Sequence, residues 1–555
     1  MYKAIIMTRL SISPDKLKPH YDVVVVGSGY GGSVAASRLA RCGQKVCVIE
    51  RGKEFVTGEF PARFPELRRE LRVSGKSFST GSGDALFQFM LGRDIHVLTG
   101  CGLGGGSLVN AAVAMRPDDW VFADKAWPEE VSGDAALDEG FARAARMLRP
   151  ARYRDAASLH KYRALEKAAS ALPAGPHQAP IVISFEDNVN PAGVHQPACT
   201  LCGDCCSGCN VGAKNTTALT YLPDAAAQGA ELFTGLSVRH VTRTKERLWK
   251  VVCTRTQPAR GEAPQEHHIT ARIVILAAGT LGSTEILLRS RNHGLQVSDR
   301  LGMNFSANGD IIAFGYGASD TVNAIGVGHP PKADVDTVGP CVAGQIKIEG
   351  KERPDEALYL QEGVLPSSLA PLLPVAFIPG GRLLGAAQSL IKGVYKGPFA
   401  RLHTFFVVSH DEAKGRIVLE DDRIDIDWPG VGEQEVYARV DRVMEAAVQA
   451  RGAKYVKNPL PSALMGDKPV TAHPLGGCGM GRSADEGVVN HKGQVFDTGA
   501  EGDAVHEGLY VCDGSIMPRS IGVNPLLTIT ALTERAMIHL ARDYQWTADD
   551  AALIA

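Results

Sequence analysis

The segment HYDVVVVGSGYGGSVAASRLARCGQKVCVIERG, residues 20–52, carries two apolar strands, a glycine-rich turn and a helical pattern in a fixed order. Residues 22–26 are an apolar, β-branched run, which is typical of a strand buried on both faces of a parallel sheet. Residues 35–41 continue as a helix, and residues 45–49 form a second strand. This order predicts the βαβ unit that opens a Rossmann-like α/β domain.

The turn between these elements has the pattern G-x-G-x-x-G, formed by Gly27, Gly29 and Gly32. In such a unit the first glycine permits a tight turn, the second lets a pyrophosphate approach the backbone, and the third lets the helix pack close to the strand. Glu50 ends the second strand 21 residues after Gly29, where a carboxylate can accept hydrogen bonds from a ribose. The unit therefore predicts a dinucleotide site, and both FAD and NAD fit the motif.

The C-terminal part of the chain has two further motifs. His473 opens HPLGGC (473–478), where a histidine beside a glycine-rich turn suits a buried base close to a flat ligand. Asn524 and Pro525 lie within DGSIMPRSIGVNPLLTITALTER (513–535) and predict a helix start, with Asn524 as N-cap and Pro525 first in the helix. That helix start would direct N–H groups and a positive dipole end toward an anion such as a reduced flavin. A core histidine and an ordinary cap are the alternative, which the matching N-terminal unit disfavours.

Three internal segments extend the pattern: TGCGLGGGSLVNAAVAMRP (99–117), GAELFTGLSVRHV (229–241) and ARIVILAAGTLGSTEILLRS (271–290). Together with both ends, they make the chain resemble the glucose–methanol–choline (GMC) flavoprotein oxidoreductases. Within that family it is most similar to the bacterial cholesterol oxidase-like branch. The resemblance covers both FAD-binding ends and several internal blocks, and it is poor between about residue 311 and residue 400.

The resemblance implies FAD as the cofactor and assigns residues to it. Residues 99–117 resemble the second glycine-rich flavin loop, and Val238 matches the strand position whose backbone meets the adenine. The implied catalytic pair is His473 and Asn524, with the substrate hydroxyl between them. The implied cofactor-binding residues are Gly27, Gly29, Gly32, Glu50, Gly104, Gly105, Ser107, Asn110, Val238, Asp513, Gly514, Asn524 and Pro525.

A chain of 555 residues with FAD motifs at both ends requires interleaved domains. We expect an α/β protein, α+β overall, in which a Rossmann-like FAD-binding domain receives an inserted substrate domain built on an antiparallel sheet. The FAD-binding domain would comprise residues 1–120, 210–310 and 470–555. The substrate domain would comprise residues 121–209 and 311–469.

Composition and charge indicate which classes of binding partner to expect. A formal net charge of −2 and a pI of about 6.8 give no reason to expect nucleic acid. The sequence shows no signal-peptide pattern and no apolar run of eighteen residues, so a soluble, cytoplasmic protein is expected.

Five of the 12 cysteines lie within ACTLCGDCCSGCNVGAKNT (198–216). Four of them have the C-x2-C-x2-C-x3-C spacing of a bacterial ferredoxin, which favours a [4Fe–4S] cluster. Asn210 replaces the usual proline and no second run exists, so Cys206 is an alternative fourth ligand. Zinc and a metal-free cysteine-rich loop remain open, while disulfides are disfavoured without an export signal. The predicted ligands are Cys199, Cys202, Cys205 and Cys209.

These features predict an FAD-dependent alcohol dehydrogenase or oxidase that takes a hydride from the CH–OH group of a hydrophobic, sterol-like alcohol. Electrons would then pass through the iron–sulfur cluster to a one-electron carrier protein. Direct use of dioxygen, a lyase or isomerase on the same fold, and an electron-transfer protein with an idle flavin site are the alternatives.

Two segments bear on how the substrate is bound. Residues 363–393 are strongly apolar and fit either core packing or a lid that touches a membrane surface. Residues 403–430 alternate apolar and polar side chains and predict antiparallel strands of the sheet that roofs the flavin, with His410 at a solvated turn.

Overall fold

The computed structural model describes residues 9–257, 265–331, 334–376, 394–457 and 468–548. Its strands, in chain order, are β1 Ser11–Ile12, β2 His20–Val26, β3 Val46–Ile49, β4 Leu71–Gly75, β5 Ser79–Thr80, β6 Phe87–Leu91, β7 His96–Gly100, β8 His177–Gln178, β9 Asn188–Val189, β10 His195–Gln196, β11 Glu231–Phe233, β12 Leu236–Arg243, β13 Trp249–Arg255, β14 Glu266–Leu276, β15 Ile311–Tyr316, β16 Gly344–Ile348, β17 Leu358–Gly363, β18 His403–Ser409, β19 Arg416–Glu420, β20 Arg423–Asp427, β21 Lys454–Lys457, β22 Val470–Thr471, β23 Gln494–Phe496 and β24 Val505–Val511. Its α-helices are α1 Tyr30–Arg41, α2 Phe64–Arg69, α3 Trp120–Ala123, α4 Ala135–Leu148, α5 His160–Ala169, α6 Tyr221–Ala227, α7 Gly279–Asn292, α8 Leu373–Ala376, α9 Glu435–Gln449 and α10 Leu526–Asp543.

The predicted βαβ unit lies at the centre of the largest sheet. Nine of the described strands form this sheet in the order β1-β11-β3-β2-β14-β13-β12, with β24 added to β14 and β23 to β24. The pairs from β1 to β14, and the pair β14–β24, are parallel. The valines of β2 at 23–25 are fully buried, as a strand covered on both faces requires. The predicted Rossmann-like α/β class is confirmed.

Helices from distant parts of the chain cover this sheet together. Arg38 on α1 donates two hydrogen bonds of 2.8 Å to Glu534 on α10, and the Tyr221 hydroxyl on α6 donates to the same carboxylate at 2.9 Å. All three side chains are buried. Removing one partner of such a buried pair costs about 3–5 kcal/mol, because the other charge is left unpaired. The network therefore fixes α10 against the N-terminal unit.

A second sheet is antiparallel and lies over helices α5 and α9. Six of the described strands form it in the order β21-β15-β18-β17-β16-β8. One face packs against the two helices through an apolar core that includes Leu165, Leu360, Phe405 and Met444. Of the predicted 403–430 strands, β18 joins this sheet, whereas β19 and β20 pair only with each other as a separate hairpin. The expectation that the whole segment forms the roof is thus wrong for its second half.

Five further strands, in the order β22-β7-β6-β4-β5, form a smaller sheet, and β9 pairs with β10. None of the helices described is both long enough and apolar enough to span a bilayer. The predicted apolar lid at 363–393 falls largely on residues 377–393, which lie outside the described residues.

Candidate active site

The first glycine turn has the tight backbone that its sequence predicts. Gly27 has φ +95°, and a Cβ there would lie 2.3 Å from the carbonyl oxygen of Ala277. A Cβ on Gly32 would lie 2.0 Å from the carbonyl oxygen of Gly27, so only glycine lets α1 approach the strand this closely. Gly29 differs, because a Cβ there would meet no atom within 4 Å. The space beside Gly29 is where a pyrophosphate is predicted to approach.

The second glycine-rich loop packs directly on the first. A Cβ on Gly105 would lie 2.8 Å from Cα of Gly29. The Ser107 hydroxyl donates to the Gly104 carbonyl at 2.6 Å, which closes the loop on itself. The Asn110 amide donates to the hydroxyl of Tyr30, the first residue of α1, at 2.8 Å. The structure thus brings the two predicted cofactor loops together at one place.

Two buried carboxylates stabilise the turns beside the two glycine-rich loops. Glu50 accepts hydrogen bonds from the Ser28 hydroxyl at 2.6 Å and from the Gly52 amide at 2.7 Å. Asp513, next to Gly514, accepts from the Gly279 amide at 2.9 Å, and burial raises its pKa. Both carboxylates therefore stabilise the loops themselves, and the contact of Glu50 with a ribose stays a prediction.

The remaining predicted cofactor residue, Val238, is buried in β12 opposite Cys253, directly before a register shift in the pairing with β13. Its backbone contact with an adenine also stays a prediction.

A flavin dinucleotide fits the groups that border these loops. Helix α10 starts at Leu526, and no side chain caps its first turn, which leaves N–H groups for an acceptor. The Thr528 hydroxyl in that turn is buried and has no hydrogen-bond partner in the described part of the chain. Together with the open space at Gly29, these groups suit a polar, negatively charged ligand.

The predicted catalytic histidine is held by a carboxylate that no sequence pattern indicates. Nδ1 of His473 lies 2.8 Å from Oδ1 of Asp310, and the backbone N–H of His473 donates to Oδ2 at 3.0 Å. A carboxylate oxygen accepts hydrogen bonds, so this contact favours the tautomer with the proton on Nδ1 and with Nε2 as the acceptor. Asp310 is buried, while the His473 side chain keeps 22% exposure. The imidazole is therefore oriented and accessible.

Asn524 does not cap a helix, in contrast to the prediction. Pro525 is the N-cap residue of α10. The Asn524 side chain pairs instead with Gln361 on β17, whose amide nitrogen lies 2.7 Å from its Oδ1. Gln361 also donates to Gln345 at 3.2 Å. The Asn524 amide is thus bound by a second amide rather than by its own helix.

The segment Ser306–Asp310 joins the two predicted catalytic positions. Asn308, with φ +55°, donates to the Val523 carbonyl at 2.9 Å and accepts the Gly522 amide at 3.0 Å. Two residues later Asp310 binds His473. The buried Asp411 supports the segment by accepting the Ala307 amide at 2.7 Å, and burial raises its pKa. Asn-Gly at 308–309 is a turn signal, but nothing in the sequence shows where this turn would dock.

His410 is not at a solvated turn, so that expectation is wrong. Its ring packs on Trp120 with centroids 4.9 Å apart, and a Cβ on Gly522 would lie 2.1 Å from its Nε2. Burial lowers the pKa of His410 to about 4. The neutral ring supports the turn that carries Asn524.

The structure gives no support to the metal site predicted at the cysteine block. Within the described ranges, which include all of 198–216, no three His, Cys, Asp or Glu side chains converge as metal ligands. This holds for Cys199, Cys202, Cys205 and Cys209, which are free thiols. Burial raises the pKa of Cys199 to about 12 and that of Cys202 to about 11. The predicted four-thiolate cluster therefore stays a prediction.

Hydrogen bonds from Asp204 and Lys214 to distant segments hold the block in this arrangement. Asp204 accepts the backbone N–H groups of Gly328 and Ser367, both at 2.6 Å. The buried Lys214 ammonium donates to the carbonyls of Leu108 at 2.8 Å, Asn110 at 3.0 Å and Cys205 at 2.8 Å. The block is therefore fixed to the second glycine-rich loop and to two connections of the six-stranded sheet, one between β15 and β16 and one after β17.

Comparison with known proteins agrees with this geometry. The GMC oxidoreductase N-terminal and C-terminal family models match residues 21–308 and 424–533. A cholesterol oxidase of Mycobacterium tuberculosis is 27% identical over 94% of this chain and 91% of its own length. A long-chain-alcohol oxidase of Arabidopsis thaliana is 26% identical over 92% of this chain and 65% of its own length.

Solved structures share the fold. Pyridoxine 4-oxidase from Mesorbium loti superposes with a TM-score of 0.61 at 18% identity, covering 94% of this chain and 99% of that one. A fungal aryl-alcohol oxidase gives a TM-score of 0.59 at 16% identity, covering 95% and 100%. With two family models matched in sequence and the flavin loops assembled in the structure, the chain belongs to the GMC oxidoreductase family of flavoproteins.

Proposed function

We propose that this flavoprotein oxidises the CH–OH group of an apolar alcohol, with His473 as the group that accepts the hydroxyl proton. The observation that carries the proposal is the Asp310–His473 pair, at 2.8 Å, on the segment that also holds the Asn524 turn. FAD would be held by the two glycine loops and the start of α10, and when bound it supplies the hydride acceptor.

Side chains of the protein then accept and stabilise the proton that the alcohol hydroxyl loses. With Nδ1 hydrogen-bonded to Asp310, Nε2 of His473 is left to accept the proton of the alcohol as the hydride leaves carbon. The Asp310 carboxylate stabilises the imidazolium that results. The Asn524 amide nitrogen makes a 3.4 Å contact with Gln361, and we propose that its second N–H donates to the substrate oxygen.

The face of the six-stranded sheet that carries Gln361 supports an apolar substrate. Strand register places Ile312, Phe406, Gln361 and Gln345 in one row across β15, β18, β17 and β16, and alternation puts them on one face. Gln361 binds Asn524, whereas Ile312 and Phe406 are apolar and only half-buried. A Cβ on Gly363 would lie 2.6 Å from the Phe406 ring, so glycine makes room for it. We propose that the hydroxyl end binds near Gln361 and the apolar body, sterol-like or long-chain, lies along Phe406.

We propose dioxygen as the electron acceptor, since the relatives over most of the chain are named oxidases. A one-electron carrier protein is the alternative outcome. Peroxide formed in step with substrate loss would support dioxygen. Activity with a one-electron carrier alone, together with stoichiometric iron, would instead support electron transfer through the predicted cluster.

The two large sheets support the two-domain division predicted from the sequence. The nine-stranded sheet takes its strands from residues 11–49, 231–276 and 494–511, and the six-stranded sheet takes its strands from residues 177–178 and 311–457. We propose the first as the FAD-binding domain and the second as the substrate domain.

The test is anaerobic reduction of the bound flavin by a panel of apolar and polar alcohols. We expect bleaching with apolar alcohols, and His473→Ala or Asn524→Ala should slow it by about 10²-fold or more while FAD stays bound. Arg300→Ala, at an exposed position whose side chain donates to the Asp485 carbonyl, serves as the control. Normal bleaching rates in both active-site variants would refute the assignment.

A further inference from the structure

Two cysteines from distant parts of the chain face each other outside the catalytic pair. Sγ of Cys206, in the cysteine block, lies 3.4 Å from Sγ of Cys341, which precedes β16. The two residues are 135 positions apart in the sequence. Both are free thiols. The spacing within the block gave no hint of this pair, because one partner lies outside it.

Hydrogen bonds between the cysteine block and the segment that precedes Cys341 fix the backbone near both thiols. The Val327 amide donates to the Cys202 carbonyl at 2.9 Å, and the Gly339 amide donates to the Leu201 carbonyl at 3.0 Å. The Cys341 thiol also lies 3.6 Å from the Val364 carbonyl oxygen, to which it donates. A disulfide has an S–S length of about 2.05 Å, so the sulfurs need to approach by only about 1.4 Å.

Access to the two thiols is unequal. Cys341 is fully buried, whereas Cys206 is half-buried. A small oxidant therefore meets Cys206 first, and Cys341 is the neighbouring thiol that can react with the product.

We propose that Cys206 and Cys341 are an oxidisable pair that forms a disulfide in response to a peroxide. The Cys206 thiol reacts with hydrogen peroxide to give a sulfenic acid and one water. The Cys341 sulfur then attacks that sulfur, and the hydroxyl leaves with the Cys341 proton as a second water. Two thiols and one peroxide thus give one disulfide and two waters, with both electrons passing from sulfur to peroxide.

The disulfide would link the cysteine block to the six-stranded sheet that carries Gln345 and Gln361. Gln345 follows Cys341 by four residues and binds Gln361, the partner of Asn524. The block itself is bound through Lys214 to the second glycine-rich loop. Oxidation would therefore join the part of the site that carries the second glycine-rich loop to the six-stranded sheet.

The experiment treats the FAD-loaded full chain, first fully reduced, with a small excess of hydrogen peroxide. Free thiols are then counted after denaturation, and cross-linked peptides are identified by tandem mass spectrometry without reduction. We expect the count to fall from 12 by two, a cross-link between Cys206 and Cys341, and a rise in Tm of about 2 °C or more that a reductant reverses.

Matched variants separate this pair from general oxidation. Cys209→Ser, in the same block, should keep the cross-link. Cys206→Ser and Cys206→Ala should lose it, and Cys341→Ser should leave Cys206 as a sulfenic acid that a dimedone probe labels. The proposal is overturned if the native chain loses thiols without this cross-link, or if Cys209→Ser abolishes it. It is equally overturned if stoichiometric iron or zinc occupies the reduced protein through Cys206.

Discussion

The carboxylate of Asp310 contacts His473 twice, through Nδ1 at 2.8 Å and through the backbone N–H at 3.0 Å. The first contact sets the tautomer of the imidazole, and the second sets the position of the loop that carries it. One buried side chain thus controls both the chemistry and the placement of the proposed base.

Replacing Asp310 by Asn should slow flavin reduction by the alcohol by about 10²-fold or more, because the imidazolium loses its counter-charge. FAD content should stay normal. Stopped-flow bleaching measures the rate, and Asp425→Asn, at a buried carboxylate on β20, is the control for removal of a buried charge. A rate within twofold of the native enzyme would show that Asp310 only supports the loop.

Replacing Gln361 by Leu should slow flavin reduction by about tenfold, the effect of about 1.4 kcal/mol from an amide left without its partner. Gln361→Glu should also slow it, because a carboxylate cannot donate to Oδ1 of Asn524. In the Asn524→Ala background the Gln361→Leu change should have almost no effect. Independent, additive losses in this double-mutant cycle would contradict coupling through the amide pair.

Replacing Gly29 by Ala should leave the fold intact and lower FAD content by about tenfold or more, since the methyl group enters the space predicted for the pyrophosphate. The ratio of flavin to protein absorbance and the Tm of the FAD-free chain are the measurements. Gly175→Ala is the control, because a Cβ there also meets no atom within 4 Å but lies at an exposed position. Full FAD content in Gly29→Ala would place the pyrophosphate elsewhere.

Stability should fall as the pH drops, and His410 should contribute to the fall. Its pKa is about 4 in the folded protein, where burial disfavours the charged ring, and about 6.5 in the unfolded chain. The unfolded chain therefore binds the extra proton between these values. The contribution of His410 to the free energy of unfolding is therefore complete above pH 6.5, and it declines as the pH falls toward 4.

Denaturant unfolding at pH 7 and pH 5 tests this contribution. The loss of unfolding free energy on acidification should be smaller in His410→Phe than in the native chain. The exposed His268→Phe serves as control and should leave the loss unchanged. An unchanged loss in His410→Phe would mean that the ring is already charged in the folded state.

Sequence alone predicted the features whose signals lie within one segment. The βαβ unit at 20–52 is local, since its apolar runs and glycines specify strand, turn and helix without reference to other parts of the chain. The pairs that complete the site are not local. Asp310 and His473 are 163 residues apart, as are Gln361 and Asn524. No periodicity or spacing rule connects them, and only the packing of the two sheets brings them together.

The errors have the same physical origin. Asn524 has the ideal side chain for a cap, but a buried amide from another strand competes for it. His410 lies in a charged, turn-like sequence, yet Trp120 and Gly522 enclose its ring. The cysteine spacing of a ferredoxin is a local pattern, whereas the hydrogen bonds of Asp204 and Lys214 to distant segments decide where those thiols lie.

The position of β24 and α10 has a consequence for biosynthesis. β14 pairs with β24, and Arg38 binds Glu534, so the first βαβ unit is completed by segments that are synthesised long after it. At about 5–20 residues per second, the nascent chain carries an uncovered strand edge, and Arg38 waits for Glu534, for tens of seconds. Such an edge is a template for aggregation until it is paired. Expression of this protein should therefore depend on chaperones that bind nascent chains, and an early stop before residue 505 should yield insoluble product.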